Sequence, residues 1–84
     1  MDTRVALIGI IVEDALNIDK LNALLHENSE YIIGRMGIPY KNKGINIISI
    51  AIDAPVDVIS SLSGKIGMLK GISSKVIYSK NTSN

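Results

Sequence analysis

Residues 3–12, TRVALIGIIV, are apolar on both faces of the strand that they predict. The run is rich in β-branched residues, which favour extended backbone. Side chains of a strand alternate between two faces. One face carries Ala6, Ile8, Ile10 and Val12, and the other carries Val5, Leu7, Gly9 and Ile11. A strand with this pattern is typically covered on both sides, so the fold must bring apolar groups to each side of it.

The rest of the chain predicts two helices, three strands and a turn around this strand. Asp53 precedes or caps the second helix, with Pro55 at its first position, and Gly64 and Gly67 shorten it. The predicted elements are a helix over 17–28, a strand over 31–38, a turn over 41–44, a strand over 45–53, the second helix, and a strand over 72–78.

The order β-α-β-β-α-β is that of the ferredoxin-like split βαβ fold. We therefore predict an α+β sandwich in which two helices cover one face of a four-stranded antiparallel sheet. Residues 1–80 form a single domain, and residues 81–84 form a polar C-terminal tail.

The other face of this sheet needs a partner. Hydrophobic residues make up 46% of the 84 residues, and a domain this small has a thin core. Soluble monomers rarely leave large contiguous apolar patches in water. We therefore expect a homo-oligomer, a dimer or a tetramer, in which the second face packs against another copy.

Charge and composition argue against several classes of protein. The net charge of +1 is not the basic surface that direct nucleic-acid binding requires. The apolar run over 5–12 is far shorter than the ~20 residues that span a bilayer, and no signal-peptide cleavage pattern follows it. We expect a cytoplasmic protein without membrane contact.

The reactive residues predict no catalytic or metal site. There is no cysteine, and His26 is the only histidine, so transition-metal ligands are few. Helix capping accounts for the carboxylates of Glu13, Asp14 and Asp53 more simply than acid–base catalysis. We expect no enzyme activity, no metal and no cofactor.

Residues 34–46, GRMGIPYKNKGIN, form the segment richest in candidate functional groups. The planar guanidinium of Arg35 suits a carboxylate of a partner chain or an anionic ligand, although it could also face solvent. Gly34 and Gly37 would let another backbone approach closely. Residues 41–44 form an ordinary turn. The candidate ligand or subunit-interface residues are Gly34, Arg35, Met36, Gly37, Pro39 and Tyr40. Oligomer contact is the leading interpretation, and the ligand alternative rests on Arg35 and Tyr40.

A wider set of residues gives the chain a family resemblance. The set comprises residues 31–40 (YIIGRMGIPY), Gly44, 47–50 (IISI), 53–55 (DAP), 62–67 (LSGKIG) and Gly71. The chain resembles the small family of iron-only hydrogenase system regulators over residues 4–78, and GRMGIPY is the most specific part of the match. That family is similar to the ligand-binding C-terminal domain of nickel-responsive repressors, within the ACT-like group.

The resemblance implies an ACT-like form of the fold, an oligomeric habit and a regulatory role. Nickel-responsive repressors hold nickel through several histidines and a cysteine, and this chain has one His and no Cys. We therefore do not expect nickel sensing, nor a ribbon-helix-helix arm before the first strand. The function implied is a ligand-sensing module of the iron-only hydrogenase system. The alternative is an assembly factor that binds a hydrogenase-maturation or transcription protein and no small ligand.

Overall fold

The computed structural model describes residues 2–80 and contains the predicted α+β arrangement. The strands are β1 (Arg4–Val12), β2 (Ile32–Tyr40), β3 (Ile45–Ala54) and β4 (Ile72–Tyr78), and the helices are α1 (Ile18–Glu27) and α2 (Val56–Gly67). Single 3-10 turns occupy Ala15–Asn17, Ser29–Tyr31 and Lys41–Lys43. The predicted tail, 81–84, lies outside the described residues.

The four strands form one antiparallel sheet in the order β2-β3-β1-β4. The strand that is apolar on both faces, β1, is central, and β2 and β4 form the two edges. This order and the element sequence confirm the predicted ferredoxin-like fold.

The core lies between one face of the sheet and the two helices. On β1, the face that carries Ala6, Ile8, Ile10 and Val12 is buried, whereas the second apolar face, which the sequence predicts to be covered as well, stays exposed within the subunit. The helices contribute Leu21 and Leu25 from α1 and Ile59, Leu62 and Ile66 from α2. The largest core side chains from the sheet, Ile8, Ile10, Ile50 and Ile52, are almost fully shielded from solvent.

The start and length of α2 differ from the sequence prediction. Of the two positions predicted for Asp53, it precedes the helix and does not cap it, because it lies in β3 opposite Val5. Pro55 occupies the N-cap instead of the first helical position, and its carbonyl accepts hydrogen bonds from the amides of Val58 and Ile59. The helix also continues through Gly64 to Gly67, because a glycine lowers helix propensity by only about 1 kcal/mol.

Edge strand β2 extends to Tyr40, two residues beyond its predicted end. Pro39 is tolerated there because an edge strand leaves every second amide without a ladder partner. The pairing of β2 with β3 shifts between Ile32 and Gly34, where Ile33 forms a bulge.

Two turns require glycine. Gly44 closes the turn between β2 and β3 with φ of 65°, and Gly71 precedes β4 with φ of 81°. The Gly71 carbonyl accepts a 2.7 Å hydrogen bond from the amide of Glu13, which connects the end of β1 to the start of β4. Asp14 caps the following 3-10 turn by accepting a hydrogen bond from the amide of Leu16, so its predicted capping role is confirmed.

Within residues 2–80, neither helix has the length and apolar character that a membrane crossing needs.

Candidate functional site

The structure divides the candidate segment in β2 between the two faces of the sheet. Arg35, Gly37 and Pro39 lie opposite Ile50, Ile48 and Asn46 of β3, on the side of the helices. Gly34, Met36 and Tyr40 lie opposite Ala51, Ser49 and Ile45, on the other side. Arg35 and Tyr40, which together carried the ligand interpretation, therefore do not meet in one subunit.

On the helix side, Arg35 is held against helix α1. Its Nη2 donates a 3.0 Å hydrogen bond to Oδ1 of Asn22. Arg35 borders an open depression of about 240 Å³ whose other walls include Ile18, Pro39 and Asn46. A guanidinium has five N–H donors, so Arg35 has donors left for a carboxylate or phosphate. The depression can therefore present charged and amide groups to a small anion.

The opposite side of the sheet is uncovered, and we call it the bare face. Its residues form rows across β2, β3, β1 and β4. These rows are Ile38–Ile47–Ile11–Ser73, Met36–Ser49–Gly9–Lys75 and Gly34–Ala51–Leu7–Ile77, and Asp53 and Val5 begin a further row. Large apolar side chains of this face are substantially exposed, with Ile77 at 70%, Met36 at 64% and Ile38 at 56%.

The middle row of the bare face contains a depression at Gly9. It measures about 350 Å³, and its walls include Ile11, Ile47, Ser49 and Lys75. The depression lies over the centre of the sheet because β1 is a central strand and Gly9 has no side chain. The residues that line it are apolar apart from Ser49, Ser73, Ser74 and Lys75.

A third surface lies in the groove between α1 and α2, and sequence reasoning missed it. Ala23, Leu24, Met68 and Leu69 form the apolar wall of a depression of about 360 Å³, with Lys20, Glu27 and Lys65 also lining it. Met68 is 85% exposed, more than the other large apolar side chains in the described part of the chain. The sequence did contain an indication of this surface, because Met68 follows directly on the C-terminal end of the amphipathic helix α2.

The polar residues weighed for catalysis and metal binding are scattered. His26 lies exposed in the last turn of α1, and Asp53 lies exposed near the end of β3. Among residues 2–80, no three His, Asp or Glu side chains come together in a group that could hold a metal ion.

Comparisons with known proteins agree with the sequence resemblance. A family model, TM1266-like, described as "Iron-only hydrogenase system regulator, putative", matches residues 4–76. A similar solved structure is that of the uncharacterized protein TM1266 from Thermotoga maritima. It is 34% identical with a TM-score of 0.90, over 94% of this chain and 100% of that one. These matches confirm the predicted family.

A more distant similarity concerns the fold alone. A formyltetrahydrofolate deformylase from Pseudomonas putida KT2440 aligns with a TM-score of 0.62 and 13% identity. The alignment covers 87% of this chain and 28% of that one. No curated protein sequence matches the chain.

Proposed function

The chain belongs to the TM1266-like family of iron-only hydrogenase system regulators, and from this premise we propose that it is a ligand-sensing, homo-oligomeric module of that system. The family description supplies the regulatory role and the system it concerns. The ligand and the oligomer are our proposal, and each is supported by a surface of the domain.

The uncovered apolar face of the sheet is the observation that carries the proposal. Val5, Leu7 and Ile11 of the central strand remain 42–48% exposed, although their neighbours on the same strand are buried. Isolated apolar residues on a surface need no explanation, but a contiguous patch across four strands marks an interaction site. A second copy of the chain supplies a matching apolar surface, as homo-oligomers commonly do.

The depression beside Arg35 supports the sensing part of the proposal. Among residues 2–80, no carboxylate pairs with its guanidinium, which hydrogen bonds to Asn22. Arginine recognises carboxylates and phosphates through two parallel N–H bonds. The ligand class we propose is therefore a small carboxylate or phosphate anion, bound on the helix side of edge strand β2.

Thermal unfolding with a panel of small carboxylates and phosphates tests the ligand. A ligand present at 100 times its Kd adds about 2.7 kcal/mol of stability, and we expect this gain for at least one member of the panel. Arg35→Ala should abolish the gain, while the matched control Lys41→Ala, which removes a cation from the β2–β3 turn, should keep it. A panel without any shift, or a shift that survives Arg35→Ala, would refute the sensing site.

Sedimentation velocity over a range of concentrations tests the oligomer separately. We expect a dimer or tetramer at micromolar concentration. A monomer throughout that range would refute the oligomer whatever the outcome of the ligand panel.

A protein partner is the second candidate function, and the groove between α1 and α2 favours it. An exposed methionine is common at surfaces that accept other proteins, because its side chain adapts to their shape. This alternative predicts co-purification with a hydrogenase-maturation protein that is lost in Met68→Asp. The control Leu16→Asp changes an equally apolar residue that is 73% exposed elsewhere, and it should retain the partner.

A further inference from the structure

We propose that two copies of the chain pack bare face against bare face about a two-fold axis along β3, so that Met36 of each copy fills the space over Gly9 of the other. This inference rests on the oligomer of the proposed function and specifies its interface. It also explains why two glycines lie on the bare face.

Gly9 is not required by the conformation of its own chain. Among the described glycines, only Gly44 and Gly71 have positive φ. A Cβ added at Gly9 would lie 3.9 Å from its nearest neighbour, the carbonyl oxygen of Lys75, which is an ordinary contact. Glycine inside a strand costs about 0.5–1 kcal/mol relative to alanine. The missing side chain therefore leaves room for something outside the subunit.

Gly34 presents the same situation on β2. A Cβ built there would have no heavy atom within 4 Å, and its φ is not positive. The two glycines lie on the strands that flank β3, one on each side. Both leave space on the bare face.

For each of these spaces, the register places a large apolar side chain at the same level on the other side of β3, in the same subunit. Met36 and Gly9 both pair with Ser49, from opposite sides of β3. Leu7 and Gly34 both pair with Ala51 in the same way. Two protrusions and two spaces therefore lie at equal distances on either side of β3.

A two-fold axis along β3 brings the protruding side chains of one copy into contact with the spaces of the other copy. Strands are about 4.8 Å apart, so rotation about β3 lays β2 of one copy over β1 of the other. In a two-fold interface each contact occurs twice. Met36 then meets the partner's Gly9, and Leu7 meets the partner's Gly34. Sheets that pack face to face lie about 10 Å apart, and this separation accommodates side chains of this length.

The charges of the bare face separate this axis from other arrangements. Lys75 lies on β4, and the rotation leaves β4 beyond the partner's β2 edge, where the ammonium stays in water. Asp53 lies on β3 itself, so the axis brings the two Asp53 carboxylates toward each other at one end of the interface. The arrangement therefore predicts that the Asp53 carboxylates repel each other and weaken the dimer, and that Lys75 does not affect the stability of the dimer.

Filling the spaces provides the first test. Gly9→Leu and Gly34→Leu should each raise the dimer dissociation constant at least about tenfold, a loss of about 1.4 kcal/mol, because the new side chain collides with the partner. Circular dichroism should show a folded subunit, since each monomer has room for the added atoms. The matched control is Gly64→Leu on α2, where no heavy atom lies within 4 Å of the built Cβ, and it should dimerise normally.

An exchange of the two side chains provides a sharper test. Gly9→Met and Met36→Gly should each weaken the dimer, whereas the double variant should recover to within about threefold of the parent constant, because neighbouring sites couple. Losses that simply add in the double variant would overturn the proposed contact.

Two charge variants complete the experiment. Asp53→Asn should tighten the dimer, and Lys75→Gln should leave its dissociation constant unchanged; the opposite pattern contradicts the axis. A chain that is monomeric at every concentration would refute the oligomer itself. A dimer that forms normally in both Gly9→Leu and Gly34→Leu would refute this interface alone, because the copies would then associate through another surface.

Discussion

Ser63 of helix α2 and Ser74 of strand β4 share a hydrogen bond of 2.7 Å between their Oγ atoms, which joins the helix layer to an edge of the sheet. Both residues are half-buried. At the margin of the aliphatic core, this polar contact connects α2 to β4. Either hydroxyl can act as the donor.

The losses in the free energy of unfolding from removing Ser63 and Ser74 should not add: removing one hydroxyl should already cause most of the loss seen when both are removed. Ser74→Ala leaves the partly buried Ser63 hydroxyl without its partner, and we expect a loss of about 1 kcal/mol in the free energy of unfolding. The double variant Ser63→Ala/Ser74→Ala should lose little more, because two apolar methyl groups then face each other. Urea unfolding of both single variants and the double variant measures this coupling, and additive losses would contradict it.

Gly71 and Gly64 should respond oppositely to alanine. At Gly71, φ is 81° and the new Cβ would lie 2.6 Å from the Cβ of Asp14, so we expect Gly71→Ala to destabilise the fold by about 1–3 kcal/mol. At Gly64, in the open face of α2, alanine should stabilise by about 0.4–1 kcal/mol. Thermal unfolding of the two variants measures both effects, and equal signs would contradict the backbone assignment.

Arg35 and Asn22 should be coupled weakly. Their hydrogen bond is exposed, so Arg35→Ala should change the free energy of unfolding by about 0.5 kcal/mol, the low end for such bonds. A double-mutant cycle with Asn22→Ala measures the coupling. A loss above about 2 kcal/mol would mean that Arg35 has a structural role, and the sensing role proposed for it would then need another test.

Shortening a core side chain should have a larger effect than shortening an exposed one. Ile50 is completely shielded from solvent, and Ile50→Val should cost about 0.5–1.5 kcal/mol through the lost methylene and the space it leaves. The control Leu16→Ala removes more atoms from a side chain that is 73% exposed, yet it should cost less. Denaturant midpoints at constant m value compare the two.

Much of the fold followed from periodicity. The alternation in β1 placed Ala6, Ile8, Ile10 and Val12 on one face, and the structure buries that face. These patterns can be read locally, because the spacing of apolar residues within one element fixes which of its sides is apolar. The start of α2 did not follow, since the sequence left open whether Asp53 caps or precedes the helix, and strand pairing with Val5 decided that it precedes the helix.

The candidate segment shows where sequence reasoning ended. Composition singled out Arg35 and Tyr40, but it did not indicate which face each residue would occupy. The bulge at Ile33 decides this. Ile32 pairs with Ile52 on the helix side, and the extra residue then places Gly34, two positions later, on the opposite side with Ala51. One inserted residue reverses every later side chain of the strand.

The order of elements, the grouping of apolar residues on common faces and the presence of a second apolar face all followed from the sequence. These properties depend on the period of hydrophobic residues along the chain. Three relationships appeared only in the folded chain: Arg35 contacts α1, Met36 shares the bare face with Gly9, and Met36 and Gly9 both pair with Ser49. Those relationships depend on register between strands distant in sequence, which no local pattern specifies.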